Sequence, residues 1–189
     1  MGTEPSGRQG RNFLSRSPEA TEALGELLGA ALPPGSCVAL DGDLGAGKTT
    51  LVRGLARGLG IPGIVASPTY ALLQTHEGGR LPLAHFDAWM EGRERALLAD
   101  GGAQELLGPG VAVVEWAARV LEWLPSPRIE VLLGHQSPTE RTLYLGWVGP
   151  ETGSDPPLRQ VVENLQPPDG IEELVPAAQD PLAENRERG

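Results

Sequence analysis

This sequence predicts an α/β domain: a mostly parallel central sheet flanked by helices and extended by antiparallel strands. Three observations predict it. Strand-like and helix-like segments alternate along the chain. Two short runs, Cys37-Val38-Ala39-Leu40 and Val111-Ala112-Val113-Val114, are apolar at every position, as strands covered on both faces are. The first of these runs leads through a glycine-rich loop directly into an amphipathic helical pattern.

The elements follow in order. Met1 to Arg11 is polar and glycine-rich and reads as a flexible start, with a short strand at Phe13-Leu14. Ser17-Pro18-Glu19 opens a helix, with serine at the cap and proline in the first turn. Leu24, Leu27, Leu28 and Ala31 line one face of it, and Pro33-Pro34-Gly35 ends it. After the loop, Leu51, Val52, Leu55, Ala56 and Leu59 fall at helical spacing, closed by Gly60 and Pro62. Ile64 to Ala66 reads as a strand. Ala71 to Thr75 and Leu81 to Phe86 flank Glu77-Gly78-Gly79 as a hairpin. Arg93 to Ala99 and Ala117 to Leu124 read as short helices, and Ile129 to Leu133 with Thr142 to Trp147 as a last strand pair. From Gly149 the composition shifts to seven prolines, nine acids and three arginines, without an aromatic residue. We read 12–148 as the domain and 149–189 as an acidic, proline-rich, disordered tail with a short helix near Ile171 to Leu174.

Charge narrows the partners. The formal net charge is −10, and six of those negative charges are the tail's. The body keeps sixteen acids against twelve bases. A body of that sign does not hold a polynucleotide by its phosphates unaided. Neither DNA nor a membrane is expected as a partner. No apolar stretch approaches the roughly 20 residues a bilayer span needs, and no basic-then-apolar leader pattern opens the chain. The one cysteine, Cys37, sits inside an apolar run and reads as a small buried hydrophobe in a cytoplasmic protein.

Chemistry enters at Gly42-Asp43-Leu44-Gly45-Ala46-Gly47-Lys48-Thr49, which matches G-x-x-x-x-G-K-[ST] in full. The glycines let the backbone wrap with its N–H groups inward, and the helix that follows adds its positive end. Asp43 to Thr50 is therefore the expected ATP-binding segment. Lys48 is expected to reach the β- and γ-phosphates, and Thr49 to ligate Mg2+. Lys48 is the only lysine beside fourteen arginines, so a compact ammonium appears where a phosphate loop requires one. A hard cation also calls for an acid at the end of a buried strand. Glu115, after Val111 to Val114, fits that role. Asp87, ending Leu83-Ala84-His85-Phe86, is a candidate to orient the attacking water. Thr69, in Ser67-Pro68-Thr69-Tyr70, is a candidate γ-phosphate sensor. His85 has no visible partner and reads as structural. Trp123 and Trp147 read as core, and Trp116 as either core or a partner-facing or substrate-side residue.

Taken together, GDLGAGKTT at Gly42–Thr50, SPTY at Ser67–Tyr70, HFD at His85–Asp87 and EW at Glu115-Trp116 resemble the TsaE family, also called YjeE. That is the bacterial P-loop ATPase family of tRNA threonylcarbamoyladenosine synthesis. The resemblance spans Phe13 to Trp147. It implies that Lys48 and the loop amides hold ATP, that Thr49 and Glu115 hold Mg2+, and that Thr69 belongs to a switch. It further implies that Asp87 assists hydrolysis and that Arg141 lies near the nucleotide. Family members act through the TsaB–TsaD protein pair, which makes tRNA an indirect partner. One departure stands out: Trp89-Met90 occupies the place of the family's Tyr-Arg.

Three rival classes stand beside this one, among them a non-catalytic nucleotide-binding subunit, which would bind ATP tightly and release no phosphate. A regulatory GTPase needs Asn-Lys-x-Asp, and no lysine is left to supply it. A P-loop small-molecule kinase remains the alternative, with Arg93 and Arg95 as its lid candidates.

Overall fold

The computed structural model describes residues 9–98, 101–149 and 157–174. One eight-stranded sheet runs through it: β1 (Gln9–Ser15), β2 (Ser36–Gly42), β3 (Leu73–His76), β4 (Leu83–Asp87), β5 (Val111–Glu115), β6 (Arg128–His135), β7 (Arg141–Val148) and β8 (Ile171–Leu174). Their order across the sheet is β3-β4-β5-β2-β6-β7-β1-β8. The four central strands β4, β5, β2 and β6 are parallel, and the strands outside them pair antiparallel. The predicted fold class is therefore the observed one.

Helices α1 (Pro18–Ala31) and α2 (Lys48–Gly58) cover one face. Ser17 caps α1, its hydroxyl accepting from the Ala20 amide. The two helices approach backbone to backbone at their glycines. A Cβ on Gly25 would collide with the Leu51 carbonyl, and one on Gly54 with that of Glu22. Val38, Leu40, Val113, Val131 and Leu133 face this layer. Cys37, Ala39, Ala112 and Val114 face the other, under α3 (Gly102–Leu106) and 3-10 turns at Glu94–Leu98, Ala117–Arg119 and Leu121–Trp123. Cys37 is fully buried, and burial pushes its thiol up to about 12.

Several local expectations change. Ile64 to Ala66 forms no strand, because β3 takes the sheet edge beside β4. In that segment Val65 is buried and Ile64 is 91% exposed. Ala117 to Leu124 winds into two 3-10 turns between the left-handed Trp116 (φ 59°) and Pro125. Gln9 to Arg11 belongs to β1, held by β7. The larger correction concerns the tail. Residues 157–174 are packed structure: α4 (Pro157–Asn164) buries Leu158 and Val162, and Leu165 and Ile171 follow them into the core. Ile171 to Leu174 is strand rather than helix, because the free edge of β1 offers it a ladder. Arg11 fastens it, donating to the carbonyls of Val162 and Leu165 at 3.1 and 2.5 Å and pairing with Glu173 at 2.6 Å. The remainder of the tail and residues 1–8 lie outside the described residues.

Candidate active site

The site lies at the carboxyl ends of β2, β4 and β5, where α2 begins. The loop between β2 and α2 is positioned by close backbone approach. Gly42 has φ 137° and runs so near β6 that a Cβ would strike the Leu133 carbonyl. Asp41 braces it, accepting from the Gly42 amide at 2.8 Å and from the Ala118 amide at 3.0 Å. Gly45 and Gly47 also take positive φ. Gly47 precedes α2, so the helix amides open into the loop.

Lys48 is 5% exposed. Its Nζ donates to the carbonyls of Gly42 and Asp43 at 2.6 and 2.9 Å. It also stands 3.6 Å from the centroid of the Trp116 ring. Burial pushes the ammonium below the ordinary lysine range, while Glu115, Asp41, Asp87 and Asp43 pull the other way. Trp116 stacks in turn on Trp89, centroids 4.5 Å apart, with the Arg119 guanidinium 5.9 Å from Trp89.

Two carboxylates face the loop from neighbouring parallel strands. The register sets Asp87 beside Glu115, so both project on the α2 side. Thr49 Oγ1 donates to Glu115, 2.9 Å from Oε1 and 3.1 Å from Oε2. With its proton so engaged, the hydroxyl keeps its lone pairs for a cation. His85 Nε2 lies 2.8 Å from Glu115 Oε1. Asp87 Oδ2 accepts from Ser67 Oγ at 2.5 Å and Thr69 Oγ1 at 2.9 Å, and Oδ1 accepts from the Trp89 amide at 2.9 Å. Leu72, at φ 66°, accepts the Asp87 amide and returns the 67–72 segment to the sheet.

The structure thus brings Lys48, Thr49, Thr69, Asp87 and Glu115 around one cleft of about 320 Å3. Leu44, Gly45, Gly47 and Thr50 line it too, whereas Ala46 is buried behind the loop and the Asp43 side chain is exposed. Arg141 reaches the loop's outer side, donating to Gly45 O at 3.4 Å and to the carbonyls of Ser137 and Glu140 at 2.9 and 2.8 Å. Trp116 and Trp89 line the cleft, so Trp116 belongs to the site. Three contributors were missed: Ser67, Asp41 and His85. The sequence shows Ser67 only as a turn residue. His85 is corrected from partnerless to a ligand of the Glu115 carboxylate. Arg93 lines a separate groove at the β3 edge.

Residues 15–143 match the family model described as threonylcarbamoyl adenosine biosynthesis protein TsaE. The chain belongs to the TsaE family. The tRNA threonylcarbamoyladenosine biosynthesis protein TsaE of Bacillus subtilis is 40% identical over 134 residues, covering 70% of this chain and 83% of that one. The TsaE of Treponema pallidum is 43% identical over 121 residues, covering 64% and 88%. A crystal structure of Bacillus subtilis YdiB superposes with TM-score 0.65 at 34% identity, over 76% of this chain and 89% of that one. TsaE membership places this chain in tRNA threonylcarbamoyladenosine biosynthesis. Of membranes, the described residues contain no helix long and apolar enough to cross one.

Proposed function

We propose that this TsaE-family chain is a Mg2+-dependent ATPase of the cytoplasm that works on the TsaB–TsaD pair, meeting tRNA only through it. One observation carries the proposal: Thr49 gives its proton to Glu115 beside a lone buried ammonium in a full phosphate loop.

The residues fit the two ligands. The glycine backbone leaves a cradle of amides, and Lys48 has a third proton beyond the two it gives to loop carbonyls. Thr49 presents lone pairs, and Glu115 is placed to accept from a metal-bound water. Among the described residues no cluster of three or more His, Cys, Asp or Glu side chains forms a cation site. A divalent ion here would therefore complete its shell from phosphate and water, as Mg2+ does on nucleotides. Bound there, Mg2+ would neutralise charge on the β- and γ-phosphates.

Asp87 supplies the hydrolytic geometry. A carboxylate has about four lone-pair sites, and Ser67, Thr69 and the Trp89 amide take three of them. The fourth, on Oδ1, is left to orient a water toward the γ-phosphorus. Water oxygen bonds to that phosphorus, the bond to the β–γ bridging oxygen breaks, one water proton stays as the hydroxyl of the new phosphate while the other passes to a phosphate oxygen, and ADP and phosphate leave. Lys48 and the loop amides hold the developing charge. The kinase alternative loses a lid candidate, because Arg93 lies on the other groove.

The test is phosphate release, alone and with the purified TsaB–TsaD pair, for the wild type and Glu115→Ala. Slow release that rises with the pair is expected. Glu115→Ala should lower Mg2+-dependent release more than nucleotide affinity. A rate set by an added small acceptor, or no release with the pair present, would refute the proposal.

A further inference from the structure

Glu115, the acid proposed for the metal side, has one more rotatable bond than an aspartate would have. A single hydrogen bond to Thr49 leaves that longer side chain free to swing. The structure holds it from a second side. His85 lies on β4, one pleat below Asp87, and faces the same side of the sheet as Glu115. It is completely buried, Glu115 is 3% exposed, and their contact is 2.8 Å. Nδ1 of His85 is buried without a hydrogen-bond partner. A ring proton there would have nothing to accept it, so the arrangement that satisfies the ring places a proton on Nε2, donated to Glu115 Oε1.

We infer that His85 is a positioning residue: its Nε2–H fixes the Glu115 carboxylate so that the carboxylate can take the Thr49 proton and turn the threonine lone pairs to the metal. The chain of donation runs His85 to Glu115 and Thr49 to Glu115, and both donors end on Oε1. His85 touches neither nucleotide nor metal in this arrangement. Glu115 keeps Oε2, which faces Thr49 at 3.1 Å, as the oxygen available to a metal-bound water. The inference rests on the proposed Mg2+ site and assigns the buried histidine a role in it.

Two amides separate positioning from space filling. In His85→Gln the side-chain nitrogen falls near the position of Nε2 and still reaches Glu115. In His85→Asn it falls near Nδ1 and does not. The measurement is ADP affinity by titration calorimetry, with Mg2+ and with EDTA, alongside the thermal midpoint. The ratio of the two affinities reports the metal site without turnover. We expect His85→Gln to keep the wild-type ratio and His85→Asn to lose roughly tenfold of it, as outer partners of metal ligands do. Affinity in EDTA should be unchanged in both. Equal ratios in wild type, His85→Gln and His85→Asn would overturn the inference and leave the metal proposal standing. A wild type with no Mg2+ effect would instead overturn the metal proposal. Should His85→Asn fail to fold, His85→Leu, which fills the pocket without a donor, must show the same loss. A wild-type ratio in that variant would overturn the inference.

Discussion

The two flanks of the sheet treat their carboxylates in opposite ways. On the β6-β7-β1-β8 flank each carboxylate that matters meets an arginine: Glu130 with Arg128 at 2.7 Å, Glu173 with Arg11 at 2.6 Å, and Glu172 with Arg16 at 2.6 Å. On the β4-β5-β2 flank, Asp87 and Glu115 are 2% and 3% exposed, yet among the described residues neither is paired with an arginine. They are surrounded by hydroxyls, an amide and an imidazole. Hydroxyl and amide donors hold a carboxylate in place without cancelling its charge. Burying ions is costly; the Lys48 ammonium offsets part of that cost here, and the proposed cation would offset more. The first flank is closed structure. The second is a site.

Breaking the closed flank should give the largest effect. Ending the chain at Val148 removes Leu158, Val162, Leu165 and Ile171 from the core. At about 1.5–3 kcal/mol for each buried apolar side chain, that is a large part of the 5–15 kcal/mol a domain has. Thermal melting should shift down by many degrees or become aggregation, although among the described residues none of those removed lines the cleft. A truncated chain melting like the full one would make the 157–174 segment an ornament on the sheet.

The open flank should break in the reverse sense. Lys48→Ala should lower turnover roughly 10²–10³-fold, as losing one donor to the developing charge does. The melting midpoint should stay within a few degrees. Unchanged nucleotide affinity and turnover would place the phosphates elsewhere. The smallest effect is on the sheet's far face. Cys37, with its thiol at about 12 and no exposure, should resist alkylation at neutral pH until the protein unfolds. Rapid labelling of native protein, read by mass, would mean the layer over β2 opens.

Part of this was legible in the residues. The loop announces itself because phosphate binding constrains backbone and side chain at fixed spacing. The strands at 37–40 and 111–115 were legible because burial on both faces leaves an apolar run. The hairpin was legible from Gly78 and Gly79 between apolar segments. What stayed hidden depends on the neighbours that tertiary structure supplies. Ile64 to Ala66 has strand composition and finds no edge, whereas Ile171 to Leu174 finds one at β1. The prolines and acids after Gly149 masked Leu158, Val162 and Leu165, whose spacing is helical. The partnership of His85 with Glu115 crosses thirty residues and arises from parallel register. So does the clasp of Ser67 and Thr69 on Asp87, set by the turn at Leu72.

The account stands or falls on where a triphosphate sits. A crystal structure with Mg2+ and a non-hydrolysable ATP analogue tests that directly. We predict the β- and γ-phosphates on the amides of residues 45–49, Lys48 Nζ turned to them, and Thr49 Oγ1 at about 2.1 Å from the ion. Phosphates lodged outside the loop, or an ion held without Thr49 and Glu115, would contradict it.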